Sequence, residues 1–351
     1  MKKIFFLVFI MLLSSCAVKQ KAADGKDGKP GNDSKAEMVQ AAQANVESAL
    51  PVRPISVSDI KRSMEYLASD ELQGRATGSE GIEKAAVFIE SYFKANNIKQ
   101  YFDSYRDDFE FKNSRSATPD AVIKGFNIIG LIEGNDPKLK NEFIILGGHY
   151  DHIGLGKEVN GDKIANGAND DASGTIAAME FGKYFAKSKT NKRSILITLY
   201  SAEEMGLKGS GHLAERLSKE GINAYTMINF EMIGVPRAED KSMAYMSGYE
   251  RSNFAETLNK YGGEEVVGFF PKAKEFNLFM RSDNFPFFKE LNIPAHAIST
   301  FDFTNFDYYH HVDDEADKMD YEHMVSFMNK MIPALEGMMN APTKEVVLND
   351  E

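Results

Sequence analysis

Asn166-Gly-Ala-Asn-Asp-Asp-Ala-Ser-Gly-Thr175 sets two adjacent acids, Asp170 and Asp171, among small residues with no apolar face to pack. Glycines at 167 and 174 let backbone or a ligand approach where a Cβ would collide. A short carboxylate on such a turn can direct each of its oxygens at a different cation. Alone, the run reads as an ordinary acidic surface turn. Four further stretches change that: Gly147-Gly-His-Tyr-Asp-His152 with His149 and Asp151, and Ser201-Ala-Glu-Glu-Met-Gly206 with Glu203 and Glu204. Glu231 follows in Asn229-Phe-Glu-Met-Ile-Gly234, and His310 in Tyr308-Tyr-His-His-Val-Asp-Asp314.

Outward from these motifs, strand and helix patterns alternate. Phe143-Ile-Ile-Leu146 and the runs 194–200 and 224–230 are continuously apolar, as strands are when both faces are covered. Helical spacing marks 80–97, 173–186 and 321–339, the last with Pro333 inside it. The N-cap of a first helix is placed at Ser58, and a partly alternating strand over 101–111. The pattern predicts an α/β fold with a mixed, mostly parallel central sheet flanked by helices. His149 and Asp151 then sit just past the carboxyl end of one strand, Glu203 and Glu204 past a second, and Glu231 at the end of a third. Ligands of open α/β sheets collect at that rim.

The residue types suit zinc, which accepts imidazole nitrogen and carboxylate oxygen at roughly 2.0–2.2 Å. Two histidines and three carboxylates supply one bridge and two terminal ligands per metal, with a water polarised between ions about 3.5–4 Å apart. One more carboxylate must take the proton of that water and return it to a leaving group. Glu203-Glu204 offers a base and a ligand from one turn.

A formal charge of −11 over 351 residues argues against a nucleic-acid partner. The single cysteine, Cys16, rules out an internal disulfide. Met1-Lys-Lys3, the apolar run 4–13 and Leu13-Ser-Ser-Cys16 resemble a bacterial lipoprotein signal. The expected layout is a signal peptide over 1–15, then a lipidated Cys16 and disordered tether over 16–52. The folded body covers 53–342 and a tail 343–351. The anchor on Cys16 would place the body at the bacterial cell envelope, on the outer membrane or the periplasmic face.

Together the motifs resemble the two-zinc aminopeptidases of metallopeptidase clan MH, which also holds glutaminyl cyclases and the protease-like domain of transferrin receptor. The similarity runs from about Ser69 to Leu335. It implies a zinc peptidase catalytic domain with two Zn2+ ions that hydrolyses N-terminal residues from peptide substrates by a metal-activated water. His149 then resembles a terminal ligand of the first zinc, with Asp151 behind its imidazole. Asp170 matches the bridging aspartate, often followed by a cis peptide, and Glu203 the general base. Glu204 and His310 match ligands of the second zinc, and Glu231 the acidic ligand of the first. The chain departs from the family by Glu231 in place of the more usual Asp, by Ser282-Asp-Asn284, and by Tyr309-His-His-Val312, which makes His311 a rival to His310. Cyclase-type acyl transfer and carboxypeptidase or dipeptidase specificity are the alternatives within the clan. His152 reads as a rim or hydrogen-bonded histidine rather than a third imidazole. His212, His296 and His323 read as structural, Asp171 as support behind the bridge, and Asp314 as a group orienting His310.

Overall fold

Every residue of Ser194–Tyr200 is buried, and the sheet is built around that strand. The computed structural model describes residues 54–112, 120–238 and 242–350, all in one unit, Val52–Glu351. The expected signal peptide, the Cys16 anchor and the tether lie outside the described residues.

The strands are β1 (Lys99–Gln100), β2 (Arg106–Lys112), β3 (Val122–Ile132), β4 (Phe143–His149), β5 (Gly154–Val159), β6 (Asp162–Ala165), β7 (Ser194–Tyr200), β8 (Ala224–Glu231), β9 (Ala244–Met246), β10 (Val267–Gly268) and β11 (Ala295–Ser299). Eight follow the order β1-β3-β7-β4-β8-β11-β9-β10, with β2 also on β3. The centre, β7-β4-β8-β11, is parallel, while β3 pairs antiparallel with β7 and β9 with β11. This is a mixed α/β sheet. The helices are α1 (Val57–Leu67), α2 (Glu80–Ala95), α3 (Gly174–Ser188), α4 (Lys208–Glu220), α5 (Phe254–Gly262), α6 (Pro271–Glu275), α7 (Asn284–Leu291) and α8 (Tyr321–Asn340).

Strand residues alternate between two apolar layers, the period-two consequence of the pleat. Ile144, Leu146, Ile195 and Ile197 face the larger core with Met64, Ile89, Phe181 and Phe327 of α1, α2, α3 and α8. Ile145, Leu196 and Met227 face the smaller one with Leu213 and Leu217 of α4 and Phe287 of α7.

Several elements differ in detail from the sequence reading. The first helix is capped at Ser56, whose hydroxyl meets the Asp59 carboxylate at 2.6 Å, not at Ser58. The strand expected from 101 begins at Arg106, because Tyr101 and Phe102 instead pack against the smaller core. The β5–β6 hairpin turns at Asn160-Gly161, where φ is 53° and 92°. Such a pair is a strong hairpin signal that alternation alone did not reveal. Beyond α8, Val346 is buried and Leu348 bridges Ser252, so the last turnless segment lies against the body.

His296 on β11 is structural, as read. Its Nδ1 donates to the Ser247 carbonyl at 2.8 Å, which leaves Nε2 to accept from the Ser252 hydroxyl at 2.7 Å. Burial holds its pKa down to about 4, against 6.5 in the unfolded chain. The unfolded state therefore binds an extra proton between those values. Stability from His296 is complete above pH 6.5 and is lost as pH falls toward 4. Urea titrations across that window should show wild type losing about 3 kcal/mol more than His296→Gln. Parallel curves would contradict it.

Candidate metal centre

Three parallel strands end at one rim. His149 is the last residue of β4 and pairs with Tyr200 on β7, so Glu203 and Glu204 emerge just beyond it. On the other side Gly147 pairs with Asn229, which brings Glu231 level with His149. His149 Nε2 lies 3.5 Å from Glu231 Oε1.

The turn Ala168–Ser173 delivers Asp170 between the remaining groups. Asp170 Oδ1 is 3.2 Å from His149 Nε2, and its Oδ2 is 3.2 Å from His310 Nε2. Glu204 Oε2 is 3.0 Å from the same His310 nitrogen. The Asp170–Asp171 peptide is cis. Asp171 turns away and accepts from the backbone N–H of Gly174, Met232 and His149 at 3.0, 3.0 and 3.3 Å. Gly174 must lack a side chain there, since a Cβ would stand 2.1 Å from the Phe230 carbonyl oxygen.

The supporting groups act through atoms that sequence did not specify. His149 Nδ1 lies 3.1 Å from the main-chain carbonyl of Asp151, with the Asp151 carboxylate farther off at 3.7 Å. That carboxylate instead accepts from the Glu203 N–H at 3.1 Å and the Thr77 hydroxyl at 3.2 Å. Asp314 does not orient His310. It accepts from the N–H groups of Asn169 and Asp170 at 2.8 and 3.1 Å, and so holds the turn. His310 faces Asp170 and Glu204, whereas His311 turns to Asp313, whose N–H it accepts at 3.1 Å. Asn284 is buried and donates to the carbonyls of Phe279 and Ala295. Ser282, two residues earlier, donates to Glu231 Oε2 at 2.6 Å.

Two residues in this set were not foreseen. His152 is fully buried rather than exposed at the pocket edge, with Nδ1 3.0 Å from Glu204 Oε1. Arg75 is a buried cation that donates only to main-chain carbonyls. It reaches Tyr150 and Gly167 at 2.9 Å, Asn166 at 2.6 Å, and also Leu67. It thereby ties the loop after β4 to the turn carrying Asp170. Elsewhere His212 does have an acidic partner, Asp107 at 3.3 Å, but it shares that acid with Arg216.

The centre is short of positive charge. Burial and then the charges of Asp283, Glu231 and Glu204 push the Glu203 carboxyl well above the usual range. Burial raises Asp283 to about 7. Asp170 moves the other way: burial opposes, but hydrogen bonds from His149 and His310 prevail and hold it below the usual range. The imidazoles respond in kind. Burial disfavours charge on His310, yet Asp170 and Glu204 drive it up to about 10.

The donor spacing fits divalent cations. Ligand atoms about 2.0–2.1 Å from a tetrahedral ion lie roughly 3.3 Å apart, and the contacts of Asp170, Glu204 and Glu231 with His149 and His310 run from 3.0 to 3.5 Å. His149, Asp170 and Glu231 form one group able to hold an ion, and His152, Asp170 and Glu204 another. Both share Asp170. Beside Glu231 opens a cleft walled by Met232, Tyr245, Leu278, Phe301, Phe303 and Tyr309, with Arg281 on its lining. Phe301, Phe303 and Tyr309 thus face the cleft, while Phe306 and Tyr308 pack into the larger core.

Fold and site together define a metallopeptidase class. Residues 127–335, more than half of the chain, match the family model described as Peptidase family M28, and the chain belongs to that family. A probable zinc metalloprotease of Pyrenophora tritici-repentis is 35% identical over 114 residues, spanning 32% of this chain and 25% of that protein. The chain therefore matches about a quarter of that curated relative's length. The LapA aminopeptidase of Legionella pneumophila superposes with a TM-score of 0.60 at 22% identity, over 92% of this chain and 76% of that one. A glutaminyl cyclase of Bacteroides thetaiotaomicron gives 0.60 at 17% identity, over 83% and 99%. At such identities the likeness is one of fold.

Replacing Arg75 by Met removes the donors but keeps most of the stem, leaving four buried carbonyls short of a partner. Arg75→Met should cost about 3–5 kcal/mol in denaturant unfolding. An unchanged midpoint would remove Arg75 from the set that organises the centre.

Proposed function

We propose that the chain is a zinc-dependent exopeptidase, an aminopeptidase acting on peptide substrates, with two Zn2+ ions. His149, Asp170 and Glu231 would hold one, and Asp170, Glu204 and His310 the other. The observation that carries this reading is the position of Asp170, whose two oxygens each face a different imidazole at 3.2 Å.

Bound divalent cations supply Lewis acidity, polarising a water and a substrate carbonyl and offsetting negative charge as it develops. The protein's own groups do the rest. Glu203 has a buried carboxyl with a raised affinity for a proton, the property needed to accept one from the attacking water and return it to the leaving amine. Asp151 fixes the Glu203 main chain. Ser282 and Asn229 orient Glu231, whose carboxylate borders the cleft where a cationic α-amine would sit. The apolar walls would take the adjoining side chain.

Arg281 on the cleft lining supports a second reading, capture of a C-terminal carboxylate by a carboxypeptidase. A panel of aminoacyl, amino-blocked and C-terminally free peptides separates the two, and an assay for pyroglutamate formation separates both from cyclase-type acyl transfer. Cleavage only of peptides with a free amino terminus is the expected result. Glu203→Gln should retain its metal while kcat falls about 100-fold or more. Chelator should abolish turnover in wild type, and zinc should restore it. Unchanged turnover in the variant would refute the role of Glu203.

The lipoprotein-like run ending at Cys16 supports tethering at the bacterial cell envelope. Cys16→Ser should move activity from the membrane to the soluble fraction; retention on membranes would exclude the anchor.

A further inference from the structure

We infer that His152 is an additional protein donor at the Glu204–His310 side of the centre, so that this side holds its cation more tightly than the His149–Glu231 side. The inference rests on the two-cation reading above and adds a residue to it.

Four observations converge. First, His152 Nδ1 lies 3.0 Å from Glu204 Oε1 and 3.9 Å from Asp170 Oδ2, values that bracket the ~3.3 Å donor separation about a tetrahedral ion. Second, the 3.0 Å approach of His152 Nδ1 to Glu204 Oε1 is poorly aligned for a hydrogen bond, and His152 Nε2 is buried without a hydrogen-bond partner. The in-plane direction of an N–H is also that of the imidazole lone pair. A nitrogen misaligned for its neighbour but beside two carboxylates is placed to share an ion with them. Third, the ring is held in place. Its backbone N–H donates to the Arg75 carbonyl, and a Cβ on Gly167 would come within 2.5 Å of its Cγ. Fourth, the rings of His152 and His310 lie edge to face at 5.7 Å, so the two imidazoles reach Glu204 from different directions.

Buried polar groups without well-aligned partners are rare, and an imidazole with neither nitrogen in a well-aligned hydrogen bond calls for a reason. Coordination through Nδ1, as the neutral ring with its proton on Nε2, supplies one for Nδ1. The Glu204–His310 side would then have four protein donors: Asp170, Glu204, His310 and His152. The His149–Glu231 side has three. More protein donors leave fewer positions for exchangeable water, as closed and open zinc sites differ.

The test uses metal-free full-length protein titrated with Co2+ against a competing chelator, in wild type and His152→Gln. Wild type should bind two equivalents in separable steps. The variant should lose more than about 100-fold in the tighter step alone, beyond the roughly 10–100-fold brought by loss of an outer hydrogen-bond partner. The visible band of that step should change with it. Should the variant fold poorly, wild type alone decides. With cadmium bound and histidines isotope-labelled, metal–nitrogen coupling should appear on three imidazoles of the seven histidines in the chain. Coupling on only two, or superimposable titrations, overturns the assignment of His152 and leaves the two-cation reading intact. Uptake of fewer than two equivalents by wild type sinks that reading, and this inference with it.

Discussion

Carboxylates held side by side out of water repel one another, and the surroundings of the rim are arranged to offset that repulsion. Two such charges 4 Å apart cost about 4 kcal/mol at an effective dielectric of 20. Asp151, Asp170, Asp171, Asp283 and Asp314 are all buried, with Glu203, Glu204 and Glu231 beside them. Each is met differently. Asp171 and Asp314 accept backbone N–H groups. Asp170 and Glu204 lean on imidazoles. Burial raises Asp283 and Asp314 to about 7, so these take up protons more readily than ordinary carboxylates. Arg75 contributes a cation, and burial brings even its guanidinium down to about 10 against the pull of Asp314, Asp151, Asp170 and Asp171. Imidazoles that hold their protons, such as His310, add positive charge, and divalent charge at the centre would offset the set further.

That balance needs a frame that does not yield. The three strands delivering acids are neighbours at the middle of the sheet, sealed on both faces by helices. The register between β4 and its neighbours fixes how far each acid projects. The turn bearing Asp170 is fastened from three sides, by Arg75, by Asp314 and by the packing of Gly174 against Phe230.

Sequence revealed the parts whose physics is local. Central strands announce themselves as unbroken apolar runs because both faces are covered, and the acids are legible because they cluster just past those runs. A small-residue turn with paired aspartates is equally local. Arg75 was invisible for the opposite reason: its partners are carbonyls at sequence separations up to 92, and a carbonyl leaves no mark in a residue string. Asp314 was assigned to the wrong neighbour because proximity in sequence to His310 suggested a contact that the turn geometry gives to Asn169 and Asp170 instead. His152 reads from sequence as a rim or hydrogen-bonded histidine because nothing local marks its burial. Only the change of direction after β4, held by Arg75, turns the second ring inward.

The cleft and the centre are not independent. Tyr309 lines the apolar cleft and also stacks on His310, with ring centroids 4.0 Å apart and planes tilted by 20°. His310 itself sits at a φ of 55°, a strained setting for a residue with a Cβ, and its side chain is 37% exposed. Its position therefore depends on contacts with Asp170, Glu204 and the Tyr309 ring rather than on deep packing. A bound group large enough to displace Tyr309 would disturb His310 as well, so occupancy of the cleft and the geometry at the Glu204–His310 side would be coupled through one aromatic pair. His149, buried at the end of a central strand, has no such dependence. The same rim thus holds one imidazole set by the sheet and one set by a loop that also shapes the cleft.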